Sequence, residues 1–361
     1  MKVLCVINAL MIGGAETLFT NMAIGFKRQG MDVDVLILQD YDSDLRKRLI
    51  DNDVTIISLH AKNIYNPLLI IKLMKFIKGY DVVHSHLFPS QYWVAIAKIV
   101  SRAKVPLVTT EHSSFNKRRK YLFTRLIDSL IYYFYDRIIT ISDKATTNLL
   151  KSYNVASKTL CIYNGVDVST YNNATKINLF EDDNGADSMI IITMVASFRY
   201  PKDQDTVIRA VSLLPSDYHA VFVGDGRRLD ECKQLAQELG IESRVHFLGI
   251  RNDVPSVLKS SDVIVMSSRY EGLSLSSIEG MCVGKPFIAS DVDGLKEIVQ
   301  DSGLLFKYGD YKALAGMIEH LMNESSFYEQ IASKCMKKAR SYDVKKTLKK
   351  YKEVYVELLN Q

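Results

Sequence analysis

Two glutamates eight positions apart, Glu271 and Glu279, have the type and spacing for a sugar-binding site. Glu271 lies in a glycine-containing loop, and Glu279 lies on the short helix predicted to follow it. The serine-rich start of that helix offers free N–H groups and a positive dipole end, which favour a phosphate. Carboxylates accept hydrogen bonds from vicinal hydroxyls. Residues 267–299 therefore predict a site for a phosphorylated sugar or a sugar nucleotide.

Lys202 and Arg199 place two cations at the end of another predicted strand, beside a helix predicted to begin at Asp203. Two cations next to a helix N-terminus would hold a diphosphate well. A pair of solvated surface charges is the alternative, and these two residues alone do not exclude it.

Gly13 and Gly14 follow the first apolar strand and open a helical pattern over 16–26. Glycines in this position let the backbone approach a diphosphate closely, although a tight turn is the simpler explanation. The pair is not the G-x-G-x-x-G fingerprint of dinucleotide binding, which argues against an NAD enzyme.

Three of the seven histidines lie at predicted strand ends: His84 and His86 in DVVHSH, and His112 after VTTE. An H-x-H pair without a third ligand is weak support for a metal, and a packed, hydrogen-bonded pair is the alternative. We interpret His112 as a substrate contact and Glu111, immediately before it, as a structural residue.

Three further turns rich in glycine or acidic residues follow predicted strands. Asn164-Gly165-Val166-Asp167 is interpreted as a turn, and Gly224-Asp225-Gly226 as a tight turn beside the site. Asp291-Val292-Asp293 matches a D-x-D pattern that holds a divalent metal in some nucleotide-sugar enzymes. Its position between a strand and a glycine turn favours a simple loop, and we expect no metal there.

The elements that must position these residues alternate between apolar strands and helical patterns, which is typical of parallel α/β sheets. The strands are predicted at 3–7, 33–38, 54–58, 82–84, 106–110, 137–141 and 160–163, and then at 189–195, 220–223, 245–247, 263–266 and 286–289. A polar stretch, 168–188, separates the two series and is the best linker. Two helical segments, near 310–340 and 344–359, close the pattern. Two doubly wound, Rossmann-like halves facing each other would form a cleft with sites at the carboxyl ends of the strands.

Length and composition agree with two globular domains: 361 residues, 47% hydrophobic and 24% charged. Five scattered cysteines without a C-x-x-C pair favour a reducing cytoplasm over disulfides or zinc. No apolar run is long enough to predict a membrane-spanning helix. The first 15 residues resemble a signal peptide, but Asn8 interrupts the apolar run, so a first buried strand is the prediction.

The net charge of +5 is unevenly distributed: residues 1–170 carry 22 basic and 14 acidic residues, and the remainder 24 and 27. In the basic half, residues 115–137 join the run Lys117-Arg118-Arg119-Lys120 to a helix rich in aromatic residues. This segment is either a long core helix with a solvated start or a surface that rests on an anionic membrane. Nucleic acid is a poorer partner because no DNA- or RNA-binding motif accompanies the segment.

Together these motifs resemble the retaining glycosyltransferases of family 4, also called group 1, whose fold is the two-domain GT-B fold. The resemblance covers nearly the whole chain. It depends on GGAE at 13–16, DVVHSH at 81–86, EH at 111–112, NGVD at 164–167, GIRNDV at 249–254, EGLSLSSIE at 271–279 and GKPFIASDVDGLKEIV at 284–299.

The resemblance implies transfer of a sugar from a nucleotide diphosphate donor, with retention of configuration and without an obligatory metal. It implies that Glu279 binds the donor ribose, that Glu271 and the backbone after it hold the transferred sugar, and that Lys202 neutralises the diphosphate. Catalytic roles are then expected for His112, Lys202 and Glu271. The expected donor-binding residues are Gly13, Gly14, Arg199, Lys202, Gly224, Ile250, Arg251, Glu271, Gly272, Leu273, Ser274, Leu275 and Glu279, and the expected acceptor-side residues are Glu16, His84, His86 and Asn164.

One position departs from the family pattern. The family places an arginine two or three residues after the strand that precedes the lysine, and here Ser197 occupies that position. Arg199 is expected to supply the missing charge from a shifted backbone position.

The expected domains are an acceptor-side domain over 1–170, onto which the helix 344–361 packs, a linker over 171–188, and a donor-binding domain over 189–343. The expected function is transfer from a UDP- or GDP-sugar to a glycan or lipid-linked acceptor in bacterial surface polysaccharide or lipopolysaccharide biosynthesis. The expected location is the cytoplasm, or the inner face of the plasma membrane. A sugar-nucleotide epimerase of the same architecture and a non-catalytic nucleotide-sugar-binding protein are the alternatives.

Overall fold

The computed structural model describes residues 1–11, 13–112, 116–180 and 189–361, without the side chains of Lys117 and Lys120. Residues 181–188 of the expected linker and Phe115 therefore lie outside the described residues. The chain divides into two compact units, one formed by 1–164 with 345–361 and the other by 165–344.

Thirteen strands lie in the described residues. They are β1 (Lys2–Ile7), β2 (Asp32–Ile37), β3 (Thr55–Ser58), β4 (Val82–His86), β5 (Leu107–Glu111), β6 (Arg137–Thr140), β7 (Thr159–Cys161), β8 (Ile190–Val195), β9 (Tyr218–Val223), β10 (Val245–Phe247), β11 (Val263–Met266), β12 (Phe287–Ser290) and β13 (Leu304–Phe306).

Fifteen α-helices lie in the same residues. They are α1 (Gly14–Arg28), α2 (Asp44–Ile50), α3 (Leu69–Ile77), α4 (Ser90–Ser101), α5 (Leu122–Tyr133), α6 (Asp143–Leu150), α7 (Val168–Asn172), α8 (Gln204–Leu213), α9 (Leu229–Glu238), α10 (Val254–Lys259), α11 (Leu275–Met281), α12 (Lys296–Val299), α13 (Tyr311–Asn323), α14 (Ser325–Ala339) and α15 (Val344–Leu359).

Each unit contains one parallel sheet with helices around it, which confirms the predicted α/β class. The sheet of the first unit has the order β3-β2-β1-β4-β5-β6-β7, and that of the second has the order β10-β9-β8-β11-β12-β13. The strand order reverses between β1 and β4 and between β8 and β11. In doubly wound sheets, ligands bind outside the carboxyl ends of the strands at this reversal.

The apolar stretch near the start of the chain is a central strand, as predicted. In β1, Val3 pairs with Val33 of β2 on one side and with Val82 of β4 on the other. Residues 3–7 of this strand are fully buried. A strand covered on both faces needs a continuous apolar run, and the same run resembles the core of a signal peptide.

Apart from shifts of one or two residues at strand ends, three features of the described fold differ from the sequence prediction. The short strand β13 was not predicted because Leu304–Phe306 offers only three apolar residues. The helical segment expected over 310–340 is two helices, α13 and α14, which separate at Glu324. The division between the units falls after Asn164 and not at 170, since α7 contributes Val168 to the core of the second unit.

Helix α15 belongs to the first unit. Its Leu348 covers Gly25 of α1 so closely that a Cβ there would lie 2.4 Å from the leucine Cδ1. Tyr351 and Tyr355 pack edge-on against Phe26, with ring centroids 6.0 and 5.6 Å away. No helix in the described ranges is both long and apolar enough to cross a membrane.

Candidate functional site

An ion pair between Lys202 and Glu271 lies at the strand reversal of the second unit. Lys202 ends a 3-10 turn in the loop after β8, and Glu271 lies in the loop after the neighbouring strand, β11. The Lys202 Nζ donates to Glu271 Oε1, and the Ser268 hydroxyl donates to the same oxygen at 2.7 Å. Both charged side chains are largely buried, with exposed fractions of 21% and 12%. The structure thus brings together two of the predicted site residues.

Two hydrogen bonds to backbone carbonyls join the loop after β8 to the loop after β11. The Ser267 hydroxyl donates to the Asp203 carbonyl at 2.7 Å, and the Arg269 N–H donates to the Pro201 carbonyl at 2.7 Å. Asp203, which precedes α8, has a left-handed backbone with φ of 52°. These bonds fix the position of the Lys202 backbone relative to the Glu271 loop.

The loop that carries Glu271 also rests on Gly294. The Glu271 N–H donates to the Asp293 carbonyl at 3.1 Å. Gly294 has a φ of +84°, and a Cβ there would lie 2.2 Å from the Gly272 carbonyl oxygen and 2.4 Å from that of Glu271. A glycine is required because only it combines this conformation with such a close approach.

Glu279 lies on α11, which has only seven residues. Burial raises the pKa of its carboxyl above the usual value, while a hydrogen bond from Tyr171 acts in the opposite direction. Tyr171 belongs to α7, which is capped by Asp167 of the NGVD motif. Tyr171 was not among the predicted site residues, and its position four residues after Asp167 was the available signal.

The segment between the two glutamates is held mostly by packing. Leu273 and Leu275 contact the core of the second unit, and the Ser277 hydroxyl donates to the buried Ser274 hydroxyl at 2.7 Å. Gly272 is exposed. The Ser274 side chain forms no cap hydrogen bond to α11.

The Arg199 side chain lies beside Ser197, the residue that stands where the family pattern has its arginine. Its Nε donates to the Ser197 hydroxyl at 3.0 Å, and the side chain is exposed. Phe198, between them, is fully buried. Because side chains alternate along an extended backbone, Arg199 and Ser197 point to the same side. This arrangement supports the expectation that Arg199 supplies the positive charge that is missing at Ser197.

The other predicted donor-side residues follow β9 and β10. Gly224 has a φ of +138°, and a Cβ would lie 2.2 Å from the Ala196 carbonyl oxygen, so its glycine is required by backbone packing. Ile250 is 79% exposed. The Arg251 guanidinium binds both carboxylate oxygens of Asp253, at 2.7 and 2.6 Å.

In the first unit, the glycine pair opens α1 with Gly13 as its N-cap. The Glu16 carboxylate folds back onto this turn, since a Cβ on Gly13 would lie 2.4 Å from Glu16 Oε2. Gly14 is exposed, and apart from its chain neighbours and its own helix backbone no atom of the described residues lies within 4 Å of where its Cβ would be. Asn8 joins the loops after β1 and β4 by donating to the Phe88 carbonyl at 2.8 Å and accepting from the Ser90 N–H at 3.1 Å.

The three predicted histidines form a row across β4 and β5. His86 Nδ1 and His112 Nε2 are 2.9 Å apart. His84 has both ring nitrogens engaged, with the Tyr355 hydroxyl at 2.6 Å and the Thr110 hydroxyl at 2.8 Å. His84 is fully buried, so its expected acceptor-side role gains no support from the structure.

Burial keeps all three rings neutral. It lowers the pKa of His84 to about 3 and that of His112 to about 4, and lowers the pKa of His86 well below its usual range. At neutral pH each ring therefore carries one proton and presents one donor and one acceptor nitrogen.

Two buried carboxylates hold the basic run of the first unit. Glu111 accepts from Gln91 at 3.1 Å, from Tyr132 at 2.6 Å and from Arg119 at 3.1 Å. Arg118 pairs with Asp128 at 3.5 Å. Arg118 and Arg119 are thus internal structural groups, which contradicts the solvated start of the core-helix alternative at these two positions.

Helix α5 exposes its apolar side. Its inward face carries the buried Asp128, Ile131 and Tyr132. Leu122, Phe123, Leu126, Leu130 and Tyr133 are 60–74% exposed. Spaced at three, four and seven residues, they lie on one side of the helix. This apolar face contradicts the simple core-helix alternative.

Two remaining expectations concern turns. Asn164 is buried at the end of the first unit's first segment. Asp291 of the D-x-D sequence pairs with Lys296 at 3.1 Å. Among the described residues, no group of three His, Cys, Asp or Glu side chains is placed to hold a metal.

Sequence profiles of two families match the chain side by side. "Glycosyltransferase Family 4" matches residues 12–170, and "Glycosyl transferases group 1" matches residues 176–341.

Individual proteins agree with these profiles. A putative glycosyltransferase of Bacillus subtilis, EpsD, is 31% identical over 170 residues, which span 46% of this chain and 45% of that protein. The UDP-Gal:α-D-GlcNAc-diphosphoundecaprenol α-1,3-galactosyltransferase of Escherichia coli is 28% identical over 89% of this chain and 87% of its own length. Anabaena HepE, solved in complex with UDP, is 23% identical, covers 99% of this chain and 100% of its own, and superposes with a TM-score of 0.85.

Proposed function

The chain belongs to the family 4, or group 1, glycosyltransferases of GT-B type, and from this premise we propose that it transfers a sugar, with retention of configuration, from a UDP- or GDP-sugar to a glycan or lipid-linked acceptor. The observation that carries the proposal is the Lys202–Glu271 pair at the strand reversal of the second unit. That edge of a doubly wound sheet is where nucleotides bind.

Each residue of this pair suits one part of a nucleotide sugar. Lys202 is a cation that would neutralise the charge developing on the leaving diphosphate, with Arg199 nearby in the same loop. Glu271 is a carboxylate that would accept hydrogen bonds from the hydroxyls of the transferred sugar. Glu279, on the next helix, would accept from the ribose. No metal has a part in this proposal.

The nucleotide is proposed from the structural relatives and the acceptor from the curated ones. HepE of Anabaena was solved with UDP. The Escherichia coli relative is named for transfer to a sugar on diphosphoundecaprenol. A lipid-linked acceptor in bacterial surface polysaccharide assembly therefore agrees best with the relatives, and the basic balance of residues 1–170 suits its diphosphate.

We also propose that the apolar face of α5 rests on an anionic membrane surface at the inner side of the plasma membrane. Five exposed apolar side chains on one helix face support insertion at the depth of the lipid headgroups. The ion pairs of Arg118 and Arg119 fasten this segment from inside the unit. The lipid that carries the acceptor would lie in the same surface.

The test of the function is a panel of nucleotides and nucleotide sugars in thermal unfolding, followed by transfer assays with the stabilising donor. A bound donor raises the unfolding temperature by mass action. Lys202→Met should abolish the stabilisation and Glu279→Gln should reduce it, whereas Lys296→Met, which removes a half-exposed cation of the same unit, should retain it. Stabilisation by UDP-sugars that is unchanged in Lys202→Met and Glu279→Gln would contradict the proposed site.

The product separates transfer from epimerisation. Retention requires that the anomeric configuration of the donor sugar be kept in the new linkage, which NMR of the isolated product measures directly. Conversion of the donor to its epimer in the absence of an acceptor would assign the chain to the epimerase alternative.

A further inference from the structure

A lysine at the end of α10 joins the carboxyl ends of two short helices in the second unit. The Lys259 Nζ donates to the Asn172 carbonyl of α7 at 3.0 Å and to the Val283 carbonyl, two residues beyond α11, at 3.1 Å. The last carbonyls of a helix have no partner within the helix, and a cation placed there satisfies them and interacts favourably with the helix dipole. One side chain therefore ties the end of α7 to the end of α11.

Both helices are too short to keep a fixed position by themselves. Helix α7 has five residues and α11 has seven, whereas isolated helices shorter than about 12 residues are marginal in water. Their mutual position therefore depends on contacts with neighbouring elements. At the amino end of α7, the Asp167 side chain accepts from the N–H groups of Ser169 and Thr170 at 3.1 and 3.3 Å. Lys259 holds the opposite end.

The same end of α10 also holds the chain that follows α7. The Ser260 hydroxyl accepts from the Ile177 N–H at 2.8 Å and lies 2.9 Å from the Ile177 carbonyl oxygen. The Ile177 side chain packs against a small apolar cluster that includes Val257 of α10. Residues 172–177, which belong to the expected linker, are thus bound to the second unit by two consecutive side chains.

Tyr171 lies one residue before the carbonyl that Lys259 binds. Its hydroxyl donates a hydrogen bond to the Glu279 carboxylate on α11, and its ring packs against the core of the second unit. A shift of about 1 Å at this end of α7 would stretch an ordinary hydrogen bond beyond its range. The contact between Tyr171 and Glu279 therefore depends on where Lys259 holds α7.

We propose that Lys259 is a positioning residue: by holding the ends of α7 and α11 together, it keeps the Tyr171 hydroxyl on Glu279 and so orients that carboxylate toward the ribose of the nucleotide. Lys259 then acts through Tyr171 and makes no contact with the nucleotide. The inference rests on the proposed function for the identity of the ligand, whereas the contact between Tyr171 and Glu279 is a property of the free protein.

The groups around Glu279 make this role measurable without a ligand. Burial raises the pKa of Glu279, and the Tyr171 hydrogen bond lowers it. The other titratable groups here are the Cys282 thiol, whose pKa burial raises to about 12, and the nearby carboxylates of Asp167 and Asp343. Loss of the tyrosine hydrogen bond should therefore raise the pKa of Glu279, and that shift reports the position of Tyr171.

The direct test is a double-mutant cycle on the pKa of Glu279, measured by carbon-13 NMR of the full chain labelled at the glutamate carboxyls. Glu279→Gln assigns the resonance. Lys259→Met should raise this pKa in the wild-type chain and leave it unchanged in Tyr171→Phe, because the lysine acts only through the tyrosine. No shift, or equal shifts in the two backgrounds, would overturn the inference. Lys259→Gln, which retains a donor for one carbonyl, gives the same test with a smaller shift if Lys259→Met does not fold.

Two further variants are the matched controls. Arginine retains a cation with several N–H donors, so Lys259→Arg should keep the pKa of Glu279 close to that of the wild-type chain. Lys158 of the first unit also bridges two carbonyls, those of Tyr133 and Tyr135, at 2.7 and 3.0 Å. Lys158→Met should leave Glu279 unchanged, and an equal shift in this variant would contradict a specific role of Lys259.

Nucleotide binding provides the second readout. With UDP as the probe in calorimetry, Lys259→Met should weaken binding about five- to tenfold, Lys259→Arg about twofold or less, and Lys259→Met should add nothing to Tyr171→Phe. UDP binding that is equal in Lys259→Met and the wild-type chain would overturn the role of Lys259 in orienting Glu279. Failure of UDP to bind the wild-type chain would count against the proposed donor, while the expected cycle on the Glu279 pKa would still support the inference.

Discussion

Lys202 and Glu271 are 69 positions apart in the chain, and yet the Nζ of one donates to the carboxylate of the other at the strand reversal of the second unit. Each side chain neutralises the charge of the other. A nucleotide sugar that binds here must share or replace this bond, because its phosphates seek the same cation and its hydroxyls the same carboxylate. The pair thus keeps two mostly buried charges neutralised until substrate arrives.

Removal of one member of this pair should affect stability and turnover separately. Lys202→Met leaves Glu271 without its cation, so we expect a lower unfolding temperature and a loss of turnover of about 100-fold or more. Adding Glu271→Gln should restore much of the stability, since no unpaired charge remains, but not the turnover. Thermal unfolding and kcat with the selected donor measure the two effects. A double variant no more stable than Lys202→Met would contradict this account.

Donor binding should weaken in mild acid. Burial raises the pKa of Glu279, so on acidification this carboxyl becomes neutral earlier than an ordinary glutamate and loses acceptor capacity for the ribose. The Tyr171 hydrogen bond opposes that shift, so Tyr171→Phe should move the weakening to higher pH. Calorimetric Kd values across a pH series provide the measurement. Tyr328→Phe, which removes a hydroxyl bonded to the Asp262 carbonyl, is the control that should leave the profile unchanged.

Gly294→Ala should disturb the Glu271 loop. The added Cβ meets the carbonyl oxygens of Gly272 and Glu271, so the loop must shift in addition to the strain of a positive φ. We expect a loss of about 1–3 kcal/mol in the free energy of unfolding and a clear loss of donor affinity. Gly309→Ala is matched to it, with a φ of +77° but no neighbour within 4 Å, and should show the strain alone. Equal effects of both variants on donor affinity would contradict the role of Gly294.

Membrane binding should depend on the apolar face of α5. Leu126→Ser with Leu130→Ser should reduce sedimentation with vesicles of anionic phospholipid, since two side chains that enter the headgroup region are lost. Leu68→Ser with Ile71→Ser is the matched control, because these residues are about equally exposed elsewhere in the first unit. Replacing Arg118 or Arg119 is a poor test, because both pair with buried carboxylates and their loss would destabilise the unit. Equal sedimentation of the two pairs of variants would refute the proposal.

The buried histidines should make the chain less stable in acid. The pKa of His84 is about 3 in the fold, against 6.5 for the unperturbed group, so the unfolded chain binds a proton there first as the pH falls. The free energy of unfolding should decrease below about pH 6.5, by about 1.4 kcal/mol per pH unit for each such histidine. His84→Gln removes one of them and should reduce the slope in denaturant unfolding at several pH values. An unchanged slope would show that His84 titrates normally.

The sequence predicted most of the scaffold, because parallel strands covered on both faces need apolar runs that are easily recognised. Twelve of the thirteen strands found in the described part of the chain, and the order of the site loops, follow from those runs. The contact partners of individual side chains could not be predicted from the sequence. Nothing in the pattern shows that Arg119 meets Glu111 or that Tyr171 meets Glu279, because these contacts depend on loops and side-chain directions that only the packed structure determines.

The basic segment illustrates the same limit. A run of four cations next to an aromatic helix predicts a charged surface when only composition is considered. In the folded unit, two of the cations turn inward to buried carboxylates, and the apolar residues of α5 turn outward. Which side chains turn inward depends on Asp128 and Glu111, and no local sequence pattern indicates that these two carboxylates are buried.

The position of α15 has a consequence for the order of events during synthesis. Leu348, Tyr351 and Tyr355 complete the packing around α1 and His84, but they leave the ribosome only after the whole of residues 165–344 has been made. The second unit can therefore fold before the first unit is complete. Until α15 is made, one face of the core of the first unit stays uncovered. A nascent chain stalled before residue 345 should be the form that most needs a chaperone.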